Sequence, residues 1–462
     1  MSYEDILFDL VYSWNCSDSS INSNEQIYSW IEQRNKEIKV DIKEIALDNS
    51  NFWFFDKQNG EIKNKNNAFF SIKGLRETSI VGGYEKIIEH PIILQDEIGY
   101  LGFICKKING IIHFLVQAKI EPGNINKIQL SPTIQATKSN FTKKHGGNAP
   151  AYLEYFIDKS NYTIVVDQIQ SEQSSRFYKK RNRNIIIYID EEIETLPSHK
   201  WMTLGQIKKF MRYDNIVNMD TRTVLSCIPF YLLASYNRQD YLKSLFKDKS
   251  LYNSLINIDN SIIPKIYSKI NDYKMLNEFR RELIKLQDLR LWRFFNDEFQ
   301  CASNSPFKVI FCDISIEGRE VKEWSQPLFK ANGDAIFGLI TRVVNNKREF
   351  LIKLKHEVGC FDSIELGPTI QQECTDKVSD DVEQQFFRML QKNEGVLFDT
   401  MLSEEGGRFY HEQNRNIIIE VNDIYVDKRK YIWVDYGTLN KLVQINNILN
   451  IQLRNLLSVL EV

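Results

Sequence analysis

The chain repeats itself. Residues 114–137 (FLVQAKIEPGNINKIQLSPTIQAT) align without gaps to residues 350–373 (FLIKLKHEVGCFDSIELGPTIQQE), with 11 of 24 positions identical at a spacing of 236. Residues 171–190 (SEQSSRFYKKRNRNIIIYID) match residues 403–422 (SEEGGRFYHEQNRNIIIEVN), with 11 of 20 identical at a spacing of 232. A third block begins at Trp201 and Trp433 and keeps Gly205/Gly437, Asn215/Asn447, Asn218/Asn450 and Arg222/Arg454. Three collinear blocks establish a duplication. A period this long makes each copy a whole folding unit rather than one turn of a solenoid.

Both copies carry the same local signals. FLVQAKI and FLIKLKH are rich in β-branched and aromatic residues, which predicts strands of mixed burial. Gly123 and Gly359 turn the chain. A second strand follows, and because proline has no ladder donor, Pro132 and Pro368 mark an edge, a bulge or a strand end. NIIIYI and NIIIEV read as buried strands. Residues 202–228 then read as helix, turn, helix: a first helix over about 204–213 and a second capped by Asp220. Strands followed by helices predict an α+β module. The division expected is a first module over 1–238 with an N-terminal extension, a helical linker over 239–296 and a second module over 297–462. The polar, Asn-rich stretch 14–67 gives no clear pattern.

Composition excludes several classes. A net charge of -2 leaves no basic field for nucleic acid or anionic lipid. Seven scattered cysteines without a C-x-x-C pair indicate neither a disulfide framework nor a zinc knuckle. No apolar run approaches the length of a membrane span, and the N-terminus lacks a basic, then apolar leader. A soluble cytoplasmic protein is expected.

Residues 117–156 of the first copy (QAKIEPGNINKIQLSPTIQATKSNFTKKHGGNAPAYLEYF) resemble the signature of NDP-hexose 2,3-dehydratases, through EPGN, QLSPT-QAT-SN, HGG and YLEYF. The resemblance implies two tandem Nudix-like mixed-sheet modules in a homodimer. It also implies a nucleotide-sugar substrate, dTDP-linked by family habit with CDP as the other option, and a 3-ketoreductase acting downstream. The Nudix catalytic box is missing, since Gly318-Arg319-Glu320 is only a fragment of it. Without the acidic cluster that would bind Mg²⁺, diphosphate hydrolysis is not expected.

The reaction so implied removes water across C2 and C3 of a 4-keto sugar nucleotide. The C3 proton lies α to the ketone, and the C2 hydroxyl lies β to it. The site therefore needs a base over C3, donors at the C4 oxygen and an acid at the C2 hydroxyl. No hydride leaves the sugar and the six histidines are dispersed, so neither cofactor nor metal is implied. Residues shared by both copies suit a common task; residues of one copy alone suit chemistry. Among the shared residues, Arg176, Tyr178, Asn182 and Arg183 fit diphosphate and base recognition, although the same pairs also suit structural bridges. The first copy alone has the segment around His145, whose unperturbed pKa favours proton transfer; an exposed loop histidine is the alternative. His145, Lys119, Glu121 and Ser131 are thus the candidates for proton transfer. Gln129, Thr133, Gln135, Ser139, Asn140 and Tyr152 are candidates to hold the sugar, with core packing as the other role open to Tyr152. Three competing readings are a non-catalytic sugar-nucleotide sensor, a true Nudix hydrolase and an interaction scaffold.

Overall fold

In the computed structural model the described residues are 1–67, 69–138, 149–317 and 321–461. The first copy runs through α1 (Tyr3–Asn15), α2 (Asn24–Glu37), β1 (Val40–Glu44), β2 (Trp53–Asp56), β3 (Glu61–Asn64), β4 (Ser71–Val81), β5 (Tyr84–Leu94), β6 (Gly99–Ile108), β7 (Ile111–Ile120), β8 (Ile128–Ser131), β9 (Ile134–Ala136), α3 (Leu153–Ile157), β10 (Thr163–Ser171), β11 (Arg181–Tyr188), β12 (His199–Thr203), α4 (Leu204–Phe210) and α5 (Met219–Ser226). After α6 (Gln239–Leu245) the second copy follows as α7 (Lys249–Ile256), α8 (Ile262–Leu276), β13 (Glu278–Ile284), β14 (Trp292–Phe295), β15 (Glu298–Cys301), β16 (Phe307–Ile316), β17 (Glu323–Ala331), β18 (Ala335–Val344), β19 (Lys347–His356), β20 (Ile364–Gly367), β21 (Ile370–Gln372), α9 (Asp381–Lys392), β22 (Val396–Ser403), β23 (Phe409–Tyr410), β24 (Gln413–Glu420), β25 (Tyr431–Asp435), α10 (Tyr436–Leu442) and α11 (Ile451–Ser458). The expected α+β class holds.

Each copy builds a seven-stranded mixed sheet: β10-β11-β6-β7-β12 in the first, with β8 on β7 and β9 on β6, and β22-β24-β18-β19-β20 in the second, with β25 on β19 and β21 on β18. The NIII strands lie inside them. β11 runs parallel to β6, with Asn182 opposite Gly99, and β24 parallel to β18, with Asn414 opposite Ala335. Burial on both faces explains their continuous isoleucine runs. Pro132 and Pro368 fall between short strands, β8 and β9 in one copy and β20 and β21 in the other, where no ladder donor is needed.

The segment expected as a helical linker is mostly the start of the second copy. In α1, Ser13 Oγ donates to the Ile112 carbonyl and accepts from Leu204 N–H. In α7, Ser254 Oγ donates to the Arg348 carbonyl and accepts from Tyr436 N–H in the same way. Helices α7 and α8 thus repeat α1 and α2, so the duplication reaches into the N-terminal stretch that gave no clear pattern. Residues 278–295, expected as helix, instead form β13, one 3-10 turn and β14. The arginines and glutamates of β13 mimic an exposed helix, but their partners lie in a distant strand.

That pairing crosses between copies. β1 of the first copy lies antiparallel on β16 of the second, from Val40 opposite Ile316 to Glu44 opposite Cys312. β13 of the second copy lies antiparallel on β4 of the first, from Glu278 opposite Ile80 to Ile284 opposite Gly74. The smaller sheet of each copy is therefore completed by a strand of the other. Helices α5 and α11 pack against one another and bury Arg222 and Arg454. Arg222 donates across to the Ser403 carbonyl, and Arg454 to Gln170 Oε1 at 3.0 Å and to the Ser171 carbonyl at 2.5 Å. Each arginine thereby anchors the strand end that leads into the other copy's Ser-Glu loop.

Candidate active site

The exchange joins the copies at two equivalent places, and each holds a cavity. In the first, the EPGN turn after β7 meets the loop after β22. Gly123 N–H donates to the Gly406 carbonyl at 2.7 Å, and His411 N–H to the Gly123 carbonyl at 2.9 Å. In the second, Gly359 N–H donates to the Ser174 carbonyl and Lys179 N–H to the Gly359 carbonyl, both at 2.8 Å. Each cavity therefore takes its strand floor from one copy and its loop from the other.

The first cavity encloses about 470 Å³, within the usual range for a small-molecule site. On its floor, Lys119 Nζ stands 3.8 Å from Glu121 Oε1 and donates to the Gln135 carbonyl at 3.0 Å. Gln135 Nε2 donates to Glu121 Oε1 at 3.0 Å, and Asn218 Nδ2 donates to Gln135 Oε1 at 3.2 Å. Lys119 and Glu121 are two residues apart at the end of β7 and so share a face; Gln135 reaches them from β9 and Asn218 from the start of α5. One wall holds Asn182, which donates to Glu172 Oε1 at 2.5 Å and accepts from Gly99 N–H at 3.2 Å. Lys180 beside it donates to the Glu97 carbonyl. From the second copy come Glu405, Gly407 and Arg408. A Cβ on Gly407 would lie 2.2 Å from Glu405 Oε1 and 3.4 Å from Glu121 Oε1, so both carboxyls border that backbone. Arg408 spans Gln95 Oε1, at 3.2 and 3.3 Å, and lies over the Phe70 ring at 4.3 Å. Phe52, Trp53, Phe69 and Trp324 give the cavity an aromatic end.

The second cavity, about 780 Å³, repeats this plan with Lys355, Glu357, Gln371 and Arg176. In the repeat, the residues aligned with Lys180, Asp220 and Glu405 are Glu412, Gln452 and Gln173. Glu373 replaces Thr137 and pairs with Arg176 at 3.0 Å.

Four of the residues nominated from sequence meet in the first cavity: Lys119, Glu121, Gln135 and Asn182. His145, Ser139 and Asn140 lie outside the described residues. Arg176 lines the second cavity, because the loop that carries it packs on the opposite copy. Tyr178 packs beside Leu75, Ile92 and Val358. The others are drawn away by the demands of the fold. Thr133 Oγ1 donates to the Leu115 carbonyl at 2.5 Å and accepts from Ile104 N–H at 3.0 Å, a stitch that Thr369 repeats. Gln129 accepts from Ser403 Oγ at 2.9 Å. Ser131 is fully buried and donates to main-chain carbonyls. Tyr152 donates to the Glu194 carbonyl at 2.9 Å. Arg183 forms a two-pronged pair with Asp167, as Arg415 does with Asp399. Asp220 is not the helix cap: Asn218 accepts Thr221 N–H at 2.8 Å, which leaves the Asp220 carboxyl on the cavity wall. Glu172, Lys180, Asp220, Glu405 and Arg408 were not nominated. The contrasts Lys180/Glu412, Asp220/Gln452 and Glu405/Gln173 were nevertheless there to be read.

Burial dominates the electrostatics. It pushes the carboxyls of Glu365, Glu405 and Glu412 up to about 8 and that of Glu404 to about 7, and it brings Lys180 down to about 8. Between about 4.5 and 8, or about 7 for Glu404, the folded chain holds protons on those carboxyls that the unfolded chain has released, while Lys180 acts in the opposite sense only above about 8. The carboxyls' contribution to stability is therefore full at low pH and is lost as pH rises through that window. The midpoint of thermal unfolding is expected to fall from pH 5 to pH 8, and Glu412→Gln to flatten the decline. A midpoint that rises over that range would refute this.

The NDP-hexose 2,3-dehydratase family model matches residues 24–228 and 264–460, which follow the two copies. Three relatives, each called dTDP-4-dehydro-6-deoxy-alpha-D-glucopyranose 2,3-dehydratase, match along nearly the whole chain. That of Saccharopolyspora spinosa is 34% identical over 94% of this chain and 90% of its own. That of Streptomyces violaceoruber is 32% identical over 95% and 97%, and that of Amycolatopsis orientalis 30% over 94% and 89%. A solved ADP compounds hydrolase aligns with 37% of this chain and 93% of its own at 16% identity and a TM-score of 0.23, too loose a likeness to bear on the fold. Matched by the family model over both copies and by these relatives along nearly its whole length, this chain belongs to the NDP-hexose 2,3-dehydratase family.

Proposed function

We propose that the chain is a lyase that removes water across C2 and C3 of an NDP-4-keto-6-deoxyhexose, dTDP-linked as in the names of its relatives, to give a 3,4-diketo-2,6-dideoxy sugar nucleotide. The observation that carries this reading is the pairing of Lys119 and Glu121 on the floor of the first cavity, opposite Glu405 and Arg408 from the other copy. Glu121 takes the C3 proton. The Lys119 ammonium stands at the C4 oxygen, where enolate charge develops and a preorganised cation is worth most. Arg408 offers its fork to the diphosphate, and the aromatic end receives the base. A binding protein without chemistry has no use for the lysine and carboxyls that distinguish the first cavity from the second. The same reading expects a homodimer in the cytoplasm whose product passes to a 3-ketoreductase.

Incubation with dTDP-4-keto-6-deoxyglucose in deuterated buffer, followed by NMR and mass spectrometry, tests it. Loss of one water and the appearance of a C3 carbonyl are expected. An unchanged sugar without deuterium at C3 refutes the reading.

A further inference from the structure

We propose that Asp220 is a further catalytic residue, the acid that protonates the C2 hydroxyl as it departs. The assignment rests on the elimination proposed above and adds a role that elimination leaves unfilled. Asp220 sits in the first turn of α5, where Asn218 already caps the helix. Its carboxyl is thus spared the usual task of an aspartate at a helix start. The residue is 2% exposed and lines the first cavity. Both carboxyl oxygens are buried without a hydrogen-bond partner. Buried polar groups in folded proteins are nearly always paired, so an orphaned pair of oxygens on a cavity wall points to a partner that arrives with the ligand.

The surroundings fix the form of the group. The carboxyls of Glu172, Glu405 and Glu121 face it; Lys119 and Arg222 oppose them. Burial first, and the neighbouring carboxyls after it, hold Asp220 well above the usual carboxylate range. That direction favours the protonated acid, and its two unpartnered oxygens leave the O–H free to be given to a ligand. In the second copy the position is Gln452, and an amide cannot transfer that proton.

The step balances. Glu121 removes the C3 proton, and the C–H electrons pass to the C4 oxygen. The enolate then collapses and breaks the C2–O bond. Both electrons leave on oxygen, which takes the Asp220 proton and departs as water. The C3 enol moves its hydroxyl proton to C2 and becomes a ketone. The proton held on Glu121 returns to Asp220, and both carboxyls are reset. No oxidant, metal or second substrate enters.

Asp220→Asn in the full chain tests this, because the amide keeps the shape and loses the acid. With dTDP-4-keto-6-deoxyglucose in deuterated buffer, the variant is expected to exchange C3–H with solvent while water loss falls at least about 100-fold. The 2-deoxy-2-fluoro analogue needs less protonation of its leaving group, and the variant should release fluoride at close to the wild-type rate. Asp220→Glu should recover part of the dehydration, and thermal unfolding should leave both variants near wild type. Exchange and water loss that fall together would overturn the assignment, as would Asp220→Asn turning over at the wild-type rate. A variant that unfolds would overturn it too, since a neutral acid replaced by its amide should cost little. Wild-type protein that neither exchanges nor dehydrates would instead overturn the elimination itself.

Discussion

Glu121→Gln is expected to lower kcat by about 10²- to 10⁴-fold, the usual worth of a positioned general base. The amide can still accept the Gln135 side chain that now donates to Glu121 Oε1 at 3.0 Å, so the floor of the cavity should keep its form. What is lost is the proton acceptor. Glu357 is its counterpart in the second cavity, held by Gln371 at 3.1 Å in the same manner. Glu357→Gln therefore carries the same structural cost and is expected to turn over at close to the wild-type rate. The duplication thus supplies an internal control for any residue of the first cavity. Deuterium exchange at C3 should vanish in Glu121→Gln along with dehydration, which separates the base from the acid at Asp220. Equal loss in the two glutamine variants, or a drop of less than tenfold in the first, would remove Glu121 from the chemistry.

Much of the fold was legible because its signals are local. The repeat, the NIII strands and the interruptions at Pro132 and Pro368 all follow from residues close in sequence. The strand exchange was not legible. β1 and β13 are short, largely exposed and alike in both copies, so nothing in their side chains says which sheet each completes. The error about residues 278–295 has the same origin.

The site divided along similar lines. Lys119, Glu121, Gln135 and Asn182 were found because their strands belong to the floor of their own copy. Arg176 was read within its own copy, but its loop crosses over to the second cavity, so the guanidinium of the first cavity is that of Arg408. Thr133 and Arg183 were polar and shared for a plainer reason: one stitches strands and the other pairs with Asp167 across them. Comparing copy with copy marks Lys180, Asp220 and Glu405 as contrasts; only the crossover of the loop brings Glu405 to the floor of the first copy.

Because each cavity depends on the meeting of a glycine with the opposite loop, Gly123→Ala is expected to cost the fold itself. Neither Gly123 nor Gly359 has positive φ, so conformational freedom is not what the position requires. Space is. A Cβ on Gly123 would lie 1.6 Å from the Phe409 carbonyl oxygen and 2.8 Å from that of Gly406. Both are backbone atoms that cannot rotate aside, so the two copies would have to separate locally. Overpacking a core costs about 1–3 kcal/mol even when side chains can yield. Here the Gly123–Gly406 and His411–Gly123 hydrogen bonds would go as well, each worth about 1 kcal/mol. A loss of about 3–5 kcal/mol and little soluble protein at 37 °C are expected. Gly359→Ala meets the Phe177 carbonyl oxygen at 1.9 Å and should lower thermal stability similarly. Its damage falls on the loop of Arg176, in the second cavity. At a temperature where both variants are folded, the Gly123 variant should lack dehydratase activity, since Glu405 and Arg408 are displaced, and the Gly359 variant should retain it. Circular dichroism melts and single-turnover assays of the pair measure both effects. An alanine at 123 that leaves the melting temperature and turnover unchanged would mean that the copies do not meet as described.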